Sequence, residues 1–291
     1  MTAIPLQTAK RHRQLPVRRA FVDGKFGQIH IRTAGERQTG RAPLLCLHMF
    51  PQSSRGLAAF AAAMGEHTEV IAIDTPGYGE SSAPPADATA TDYASAVWDV
   101  ADGLSLTSVD LFGIHAGSKL AVAATCQRPD VVGRLVLSSA AAMTDSEVNA
   151  LRRAFSPLPL DTEGTRYQRL WESLVTQCDH SKGLGVLAET FAEIVRRPDG
   201  TERGHFAVFD YNARFASDIA SLSQPIALIN PGDGLYDKTP RTLQHAQSAV
   251  LIDRPQWPLN YLEIVPDDVA ALCRQFLYQD TTTPLAGQGI R

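Results

Sequence analysis

The sequence has few cysteines and no pattern that pairs them. Its 291 residues include 4 cysteines, which are far apart and form no C-x-x-C pair: Cys46, Cys126, Cys178 and Cys273. This spacing predicts reduced, mostly buried thiols of a cytoplasmic protein. The short cluster 178–180, Cys-Asp-His, is too small to hold a metal ion by itself, so we expect no metal site.

Long apolar runs and an excess of one charge are absent as well. Nothing approaches the roughly 20 consecutive apolar residues of a membrane span, and no apolar run follows the basic N-terminal residues, so we expect neither a membrane association nor a secretory signal. The net charge of −4 predicts no general affinity for nucleic acid. Early basic residues predict a solvated arm, with a targeting or phosphate-binding role as the alternative: Lys10, Arg11, Arg13, Arg18 and Arg19.

Short apolar stretches alternate with helical ones along most of the chain. Two strand-like stretches separated by Gly24 and Gly27 predict a hairpin. The predicted strands are 19–22, 28–33, 44–48, 69–74, 108–114, 132–138, 226–230 and 249–252. The predicted helices are 55–64, one capped by Asp92, 116–127 and 267–278. This alternation indicates a doubly wound, mostly parallel sheet.

The segment between residues 142 and 223 has a different pattern. Its apolar residues recur at helical spacing and no strand stands out, which predicts a helical insert packed above the sheet. The predicted organisation is therefore an N-terminal arm (1–18), a core (19–142 and 224–280), a helical cap (143–223) and a C-terminal tail (281–291).

The segment 111–120 has the Gly-x-Nuc-x-Gly spacing of a nucleophile elbow. Such an elbow is a tight strand-to-helix turn that raises one side chain at the carboxyl edge of a sheet. Small residues are needed two positions before and after it, because neighbouring main chain passes close by. Gly113 and Gly117 satisfy this requirement, and the central residue is His115.

Five segments in order resemble the α/β-hydrolase superfamily: 43–51, 73–81, the elbow, 225–240 and 263–277. They are similar to the strand with the oxyanion loop, the Asp-x-Pro-Gly-x-Gly-x-Ser loop, the elbow, the acid-bearing strand and the closing segment. The resemblance covers residues 19–280. It implies an α/β fold with a mostly parallel eight-stranded sheet flanked by helices, a helical cap, and a cofactor-independent active site between them.

By this resemblance, His115 stands at the nucleophile position of the family's catalytic triad. The acid position falls on Asp237, which we favour, or on Asp233, and a plain turn role is the alternative for each. The family's closing histidine is missing, since no histidine follows residue 245, and Trp257 or Pro258 stands in its place.

An imidazole at the elbow allows three interpretations. Paired with Asp237 through one ring nitrogen, His115 would present the other to the cavity as a general base, the role we favour. It could instead attack as a nitrogen nucleophile, or fill an inert pocket.

The rest of the predicted site follows from the loops beside the elbow. The expected oxyanion donors are the N–H of Ala116 and that of Met49 or Phe50. The predicted pocket residues are His48, Trp171, Trp257 and Pro258. His48 is interpreted as structural rather than as a second base, and two histidines are expected at the surface: His180 and His205. We expect a small hydrophobic or aromatic ligand.

These features favour a hydrolase that acts on a small hydrophobic carbonyl or ester-like compound with His115 as general base. A lyase or decarboxylase on the same fold is one alternative, and an inactive ligand-binding pseudo-hydrolase is another. An esterase with Ser118 or Ser139 as an unconventional nucleophile is the third. The substrate and the oligomeric state stay open.

Overall fold

A computed structural model describes residues 15–156, 158–196, 201–246 and 249–278. Most of the predicted N-terminal arm, including its first three basic residues, and the whole predicted tail lie outside the described residues. The strands are β1 (Arg18–Gly24), β2 (Gly27–Ala34), β3 (Leu44–Leu47), β4 (Val70–Ile73), β5 (Val109–Ile114), β6 (Val132–Ser138), β7 (Ile226–Pro231) and β8 (Ala249–Arg254).

The eight strands form one sheet in the order β1-β2-β4-β3-β5-β6-β7-β8. β1 and β2 form the predicted antiparallel hairpin, in which Gly24 is paired with Gly27. β2 is antiparallel to β4, and every later pair is parallel. β3, β4, β5 and β7 are buried along their whole length, which explains their nearly unbroken apolar sequences. The predicted mostly parallel sheet is confirmed.

The helices are α1 (Ala58–Met64), α2 (Ala90–Gly103), α3 (Ala116–Gln127), α4 (Asp145–Ala154), α5 (Thr165–Gln177), α6 (Leu184–Val195), α7 (Thr201–Ser221), α8 (Tyr261–Ile264) and α9 (Pro266–Tyr278). Asp92 was expected to cap α2, but the N-cap is Thr89. The Thr89 hydroxyl accepts the Asp92 N–H, and the Asp92 carboxylate accepts the Thr89 N–H at 3.0 Å. This reciprocal capping box moves the helix start upstream.

Apolar side chains cover both faces of the sheet. One buried cluster joins the sheet to α2, α3 and α7, where Phe215 and Ile219 are almost fully buried. A second cluster joins the opposite face to α1 and α9. α5 and α6 form a small cluster of their own around Leu174 and Leu187. The insert therefore contains one helix, α7, that packs on α2 and α3, and two helices that pack mainly on each other. The division of the chain into core and cap stays a prediction.

The parallel strands bring several loops to one edge of the sheet. The chain leaves β3, β5, β6 and β7 at their carboxyl ends on this edge, which is where ligands bind in open α/β sheets. Among the described helices, none combines the length and the apolar character that crossing a bilayer requires.

Candidate active site

His115 has the backbone of a nucleophile elbow. It lies between β5 and α3 with φ 51° and ψ −115°, in a region that side chains rarely adopt. A Cβ on Gly113 would overlap the Gly117 carbonyl, and a Cβ on Gly117 would overlap the Leu47 carbonyl at the end of β3. Both positions therefore require glycine, because neighbouring main-chain atoms leave no space for a Cβ. The resulting tight turn places the His115 side chain at the edge of the sheet.

The His115 ring is paired with a buried carboxylate. Its Nε2 lies 2.9 Å from Oδ2 of Asp233, whose side chain is only 1% exposed, whereas the His115 side chain is 21% exposed. Oδ2 also accepts the Ser139 hydroxyl at 2.6 Å, and Oδ1 accepts the Leu235 N–H at 2.8 Å. The carboxylate therefore has a hydrogen-bond donor on each oxygen.

These donors decide the protonation of the pair. Burial by itself would raise the pKa of Asp233, but the hydrogen bonds from His115, Ser139 and Leu235 outweigh it, and the pKa lies below its usual value. An ionised Asp233 makes Nε2 of the neutral imidazole the protonated nitrogen. Nδ1 is then the unprotonated, basic nitrogen of His115.

The preference for Asp237 as the partner of His115 is wrong. Asp237 lies in an exposed turn beyond the sheet edge, and Asp233 makes the contact instead. The reason is distance from the strand: β7 ends at Pro231, so Asp233 is still at the edge. The Gly232 N–H donates to the Trp257 carbonyl at 2.9 Å, which anchors the turn that carries Asp233.

The two candidate serines differ in position. Ser118 is buried, and its hydroxyl donates to the His115 carbonyl at 2.6 Å, which is a structural role at the start of α3. Ser139 follows β6 with φ 53°, so two neighbouring strands each end in a polar residue of left-handed conformation beside Asp233. Sequence reasoning did not foresee the bond from Ser139 to Asp233, because the two residues lie 94 positions apart.

A cavity of about 760 Å³ opens between the elbow and the insert. The expected oxyanion residues Met49, Phe50 and Ala116 line it together with His115. The role of their N–H groups toward a substrate stays a prediction.

The structural interpretation of His48 agrees with its contacts. His48 is buried, its Nδ1–H donates to the Met49 carbonyl at 2.9 Å, and its Nε2 accepts the Thr75 N–H at 3.1 Å. Burial lowers the pKa of His48. Both ring nitrogens hold neighbouring loops together, so neither is placed to act as a base.

The four predicted pocket residues lie beside the large cavity rather than along it, as far as the described residues show. His48 lines a small neighbouring cleft, and Trp171 packs edge-on against Phe191 within the insert. Trp257 is buried and stacks on Tyr261 at 5.0 Å. Pro258 follows Trp257 in the same turn, and the next residue, Leu259, reaches the cavity.

The cavity takes other lining residues from the insert. His205, expected at the surface, is buried and packs against Phe155 at 4.5 Å and Phe50 at 5.8 Å. The charged lining residues are Lys119, Arg153, Arg166, Arg169 and Glu202. The cavity thus combines an apolar wall with an excess of positive charge.

Lys119 is the lining residue that sequence reasoning overlooked. It is 4% exposed, its Nζ donates to Oδ1 of Asn212 at 2.7 Å, and it lies 5.0 Å from the Phe215 ring centroid. Burial lowers the pKa of Lys119 to about 7. One signal was present: Lys119 is the charged residue of an otherwise uncharged α3, one helical turn after His115.

No group of three or more His, Cys, Asp or Glu side chains in the described ranges is arranged to hold a metal ion. The sheet order, the elbow and the cavity above it define an α/β fold whose candidate site lies at the carboxyl edge of the sheet.

Residues 42–215 match the family model described as alpha/beta hydrolase fold. The chain belongs to this family, and the resemblance noted from the sequence is confirmed.

Several relatives are similar in sequence to segments of this chain. An uncharacterized protein of Mycobacterium tuberculosis is 31% identical over 147 residues, which cover 50% of this chain and 42% of that protein. An (E)-2-((N-methylformamido)methylene)succinate hydrolase of Acinetobacter baylyi is 30% identical over 107 residues, 36% of this chain and 41% of that one. The chain therefore matches less than half the length of these relatives.

The crystal structure of a hydrolase from Pseudomonas aeruginosa superposes with a TM-score of 0.73 at 17% identity, covering 90% of this chain and 98% of that one. At this identity the likeness concerns the fold.

Proposed function

We propose that the protein is a hydrolase in which His115, oriented by Asp233, acts as a general base toward the carbonyl of a small hydrophobic compound. The observation that carries the proposal is the 2.9 Å contact between His115 Nε2 and Asp233 Oδ2 at the wall of a large cavity. A histidine with its second nitrogen held by a carboxylate is the arrangement that general-base catalysis uses.

In the proposed reaction, Nδ1 of His115 removes a proton from a water molecule as its oxygen attacks the substrate carbonyl. The N–H groups of Ala116 and of Met49 or Phe50 stabilise the negative oxygen that forms. The imidazolium, stabilised by Asp233, returns the proton to the leaving group as the carbonyl re-forms. Water is thereby added across the broken bond, and the ring is regenerated.

The base role is favoured over direct attack by His115, because an acyl-imidazole hydrolyses readily but is rarely used by enzymes. It is also favoured over a serine nucleophile. The Ser118 hydroxyl donates to a main-chain carbonyl and the Ser139 hydroxyl donates to Asp233, so each proton has an acceptor other than the His115 ring. A phosphonate probe directed at reactive serines is therefore expected to leave the protein unlabelled.

His115→Ala tests the proposal on a panel of aryl esters, lactones and β-keto acids. We expect wild-type turnover of at least one class, and a loss of kcat/KM of about 100-fold or more in the variant. His180→Ala removes an exposed imidazole and serves as the matched control, with unchanged kinetics expected. Equal activity of wild type and His115→Ala would contradict the proposal. Binding without turnover across the panel would favour the pseudo-hydrolase.

A further inference from the structure

Lys119 is a buried lysine without an anionic partner among the described residues. When protonated, its Nζ carries three N–H donors, and Asn212 accepts one of them. In the described part of the chain, no carboxylate lies within ion-pair distance of Nζ. The Phe215 ring offers only a weak electrostatic contact at 5.0 Å. A buried ammonium group in this state is unfavourable unless an anion joins it.

The position of Lys119 directs its side chain to the cavity. Side chains on a helix lean toward the N-terminus, which in α3 is the elbow. His115 is the N-cap of α3, and Lys119 follows it by four residues, about one helical turn along the chain. Both residues line the 760 Å³ cavity.

Asn212 fixes where the Lys119 ammonium group lies. The Asn212 side-chain N–H donates to the Met143 carbonyl at 2.8 Å, so its Oδ1 must face Lys119. Asn212 is itself 9% exposed and belongs to α7. The lysine is thus held by a second helix in a position that its flexible side chain would not otherwise keep.

The remaining charged side chains of the cavity wall carry a net positive charge. Glu202 is the carboxylate among the described lining residues, and it is paired with Arg166. Arg153 and Arg169 add two more cations to the wall. The field inside the cavity therefore attracts an anion of low molecular weight.

We infer that Lys119 forms a carboxylate-binding site at the inner end of the cavity, so that the ligands are hydrophobic acids. In such a ligand the acid group meets Lys119, and a carbonyl about one helical turn away lies beside His115. The placement of the reacting carbonyl rests on the proposed function, whereas the carboxylate site does not. The lowered pKa of Lys119 agrees with a group that takes up a proton when an anion arrives.

The test compares a carboxylate with its neutral isostere. Benzoylpropionate and its carboxamide are titrated by calorimetry into the wild-type chain and the Lys119→Met variant. We expect the wild type to prefer the carboxylate by about tenfold or more. Lys119→Met should bring this preference close to parity and leave the affinity for the amide unchanged. Lys182→Met, which makes the same substitution at an exposed lysine that does not line the cavity, is the control and should keep the preference.

Two further measurements do not depend on the folding of Lys119→Met. In the His115→Ala background, benzoylpropionate should bind with proton uptake near pH 8, seen as a dependence of the heat on the buffer. Benzoylformate, benzoylpropionate and benzoylbutyrate should show an optimum in chain length. No carboxylate preference in the wild type, or the same preference in Lys119→Met, would overturn the inference. Lysine-dependent binding of benzoylpropionate, together with no wild-type turnover of the aryl esters, lactones and β-keto acids, would overturn only the proposed function.

Discussion

Asp233→Asn tests the paired histidine with the smallest change of shape. The amide keeps an oxygen for the Leu235 N–H but places an NH₂ group where Oδ2 accepts His115 Nε2 and the Ser139 hydroxyl. Two donors would then face each other. This repulsion disappears when the His115 proton moves from Nε2 to Nδ1, because Nε2 can then accept a hydrogen bond from the new amide. The variant therefore has the wrong tautomer for the proposed base.

The expected loss of rate exceeds the expected loss of stability. Removal of a general base costs about 10²–10⁴-fold in rate, or ~3–5 kcal/mol of activation free energy. The Ser139 hydroxyl can rotate to accept from the new amide, and the Leu235 bond remains. We therefore expect the free energy of unfolding to fall by only about 1–3 kcal/mol.

Asp237→Asn is the matched control, because it makes the same chemical change at an exposed carboxylate four residues away. We measure kcat/KM on an ester that the wild type hydrolyses, together with the protonation of both ring nitrogens by ¹⁵N NMR. The wild-type His115 should carry its proton on Nε2, and Asp233→Asn should move it to Nδ1. An unprotonated Nδ1 in Asp233→Asn, or a larger loss of kcat/KM in Asp237→Asn, would contradict the role assigned to Asp233.

Two further predictions concern stability. Burial raises the pKa of Asp110 to about 7, although the hydrogen bond from the Arg134 N–H opposes this shift. The pKa of Asp110 is thus higher in the folded than in the unfolded protein. The free energy of unfolding of the wild type should therefore fall by up to about 4 kcal/mol as pH rises from about 4 through 7. Urea denaturation of Asp110→Asn should lack this part of the slope, and an unchanged slope would exclude the assignment. Gly117→Ala places a Cβ against the Leu47 carbonyl, and we expect thermal melts to show a free energy of unfolding lower by about 2–3 kcal/mol. Gly185 has open space around it, so Gly185→Ala should not lower the free energy of unfolding. Equal decreases in the two variants would contradict the packing argument.

The sequence was sufficient to predict those elements whose structure depends on residues close to one another along the chain. The hairpin at Gly24 and Gly27, the apolar parallel strands and the elbow at His115 all follow from local patterns and were predicted. Thr89 was missed as the cap of α2 although its capping box was present in the sequence, since Asp92 is itself a good capping residue.

The site was harder to predict because its contacts join distant elements. Asp233 and Asp237 are both acidic turn residues, and only the end of β7 at the sheet edge separates them. Lys119 on a helix surface would normally be solvated; it is buried because α7 packs over α3 and brings Asn212 to it. The cavity walls depend on how the insert helices lie, which no local pattern specifies.

The stacked pair of Trp257 and Tyr261 has a consequence for any serine variant of this site. Serine at position 115 would supply a hydroxyl, but the turn in which the sequence resemblance would place the triad histidine is filled by the buried Trp257 ring. The Trp257 main chain also fastens the turn that bears Asp233. A Ser-His-Asp arrangement here would require rebuilding this aromatic packing as well. The choice of side chain at position 115 is therefore coupled to the hydrophobic core beneath the turn.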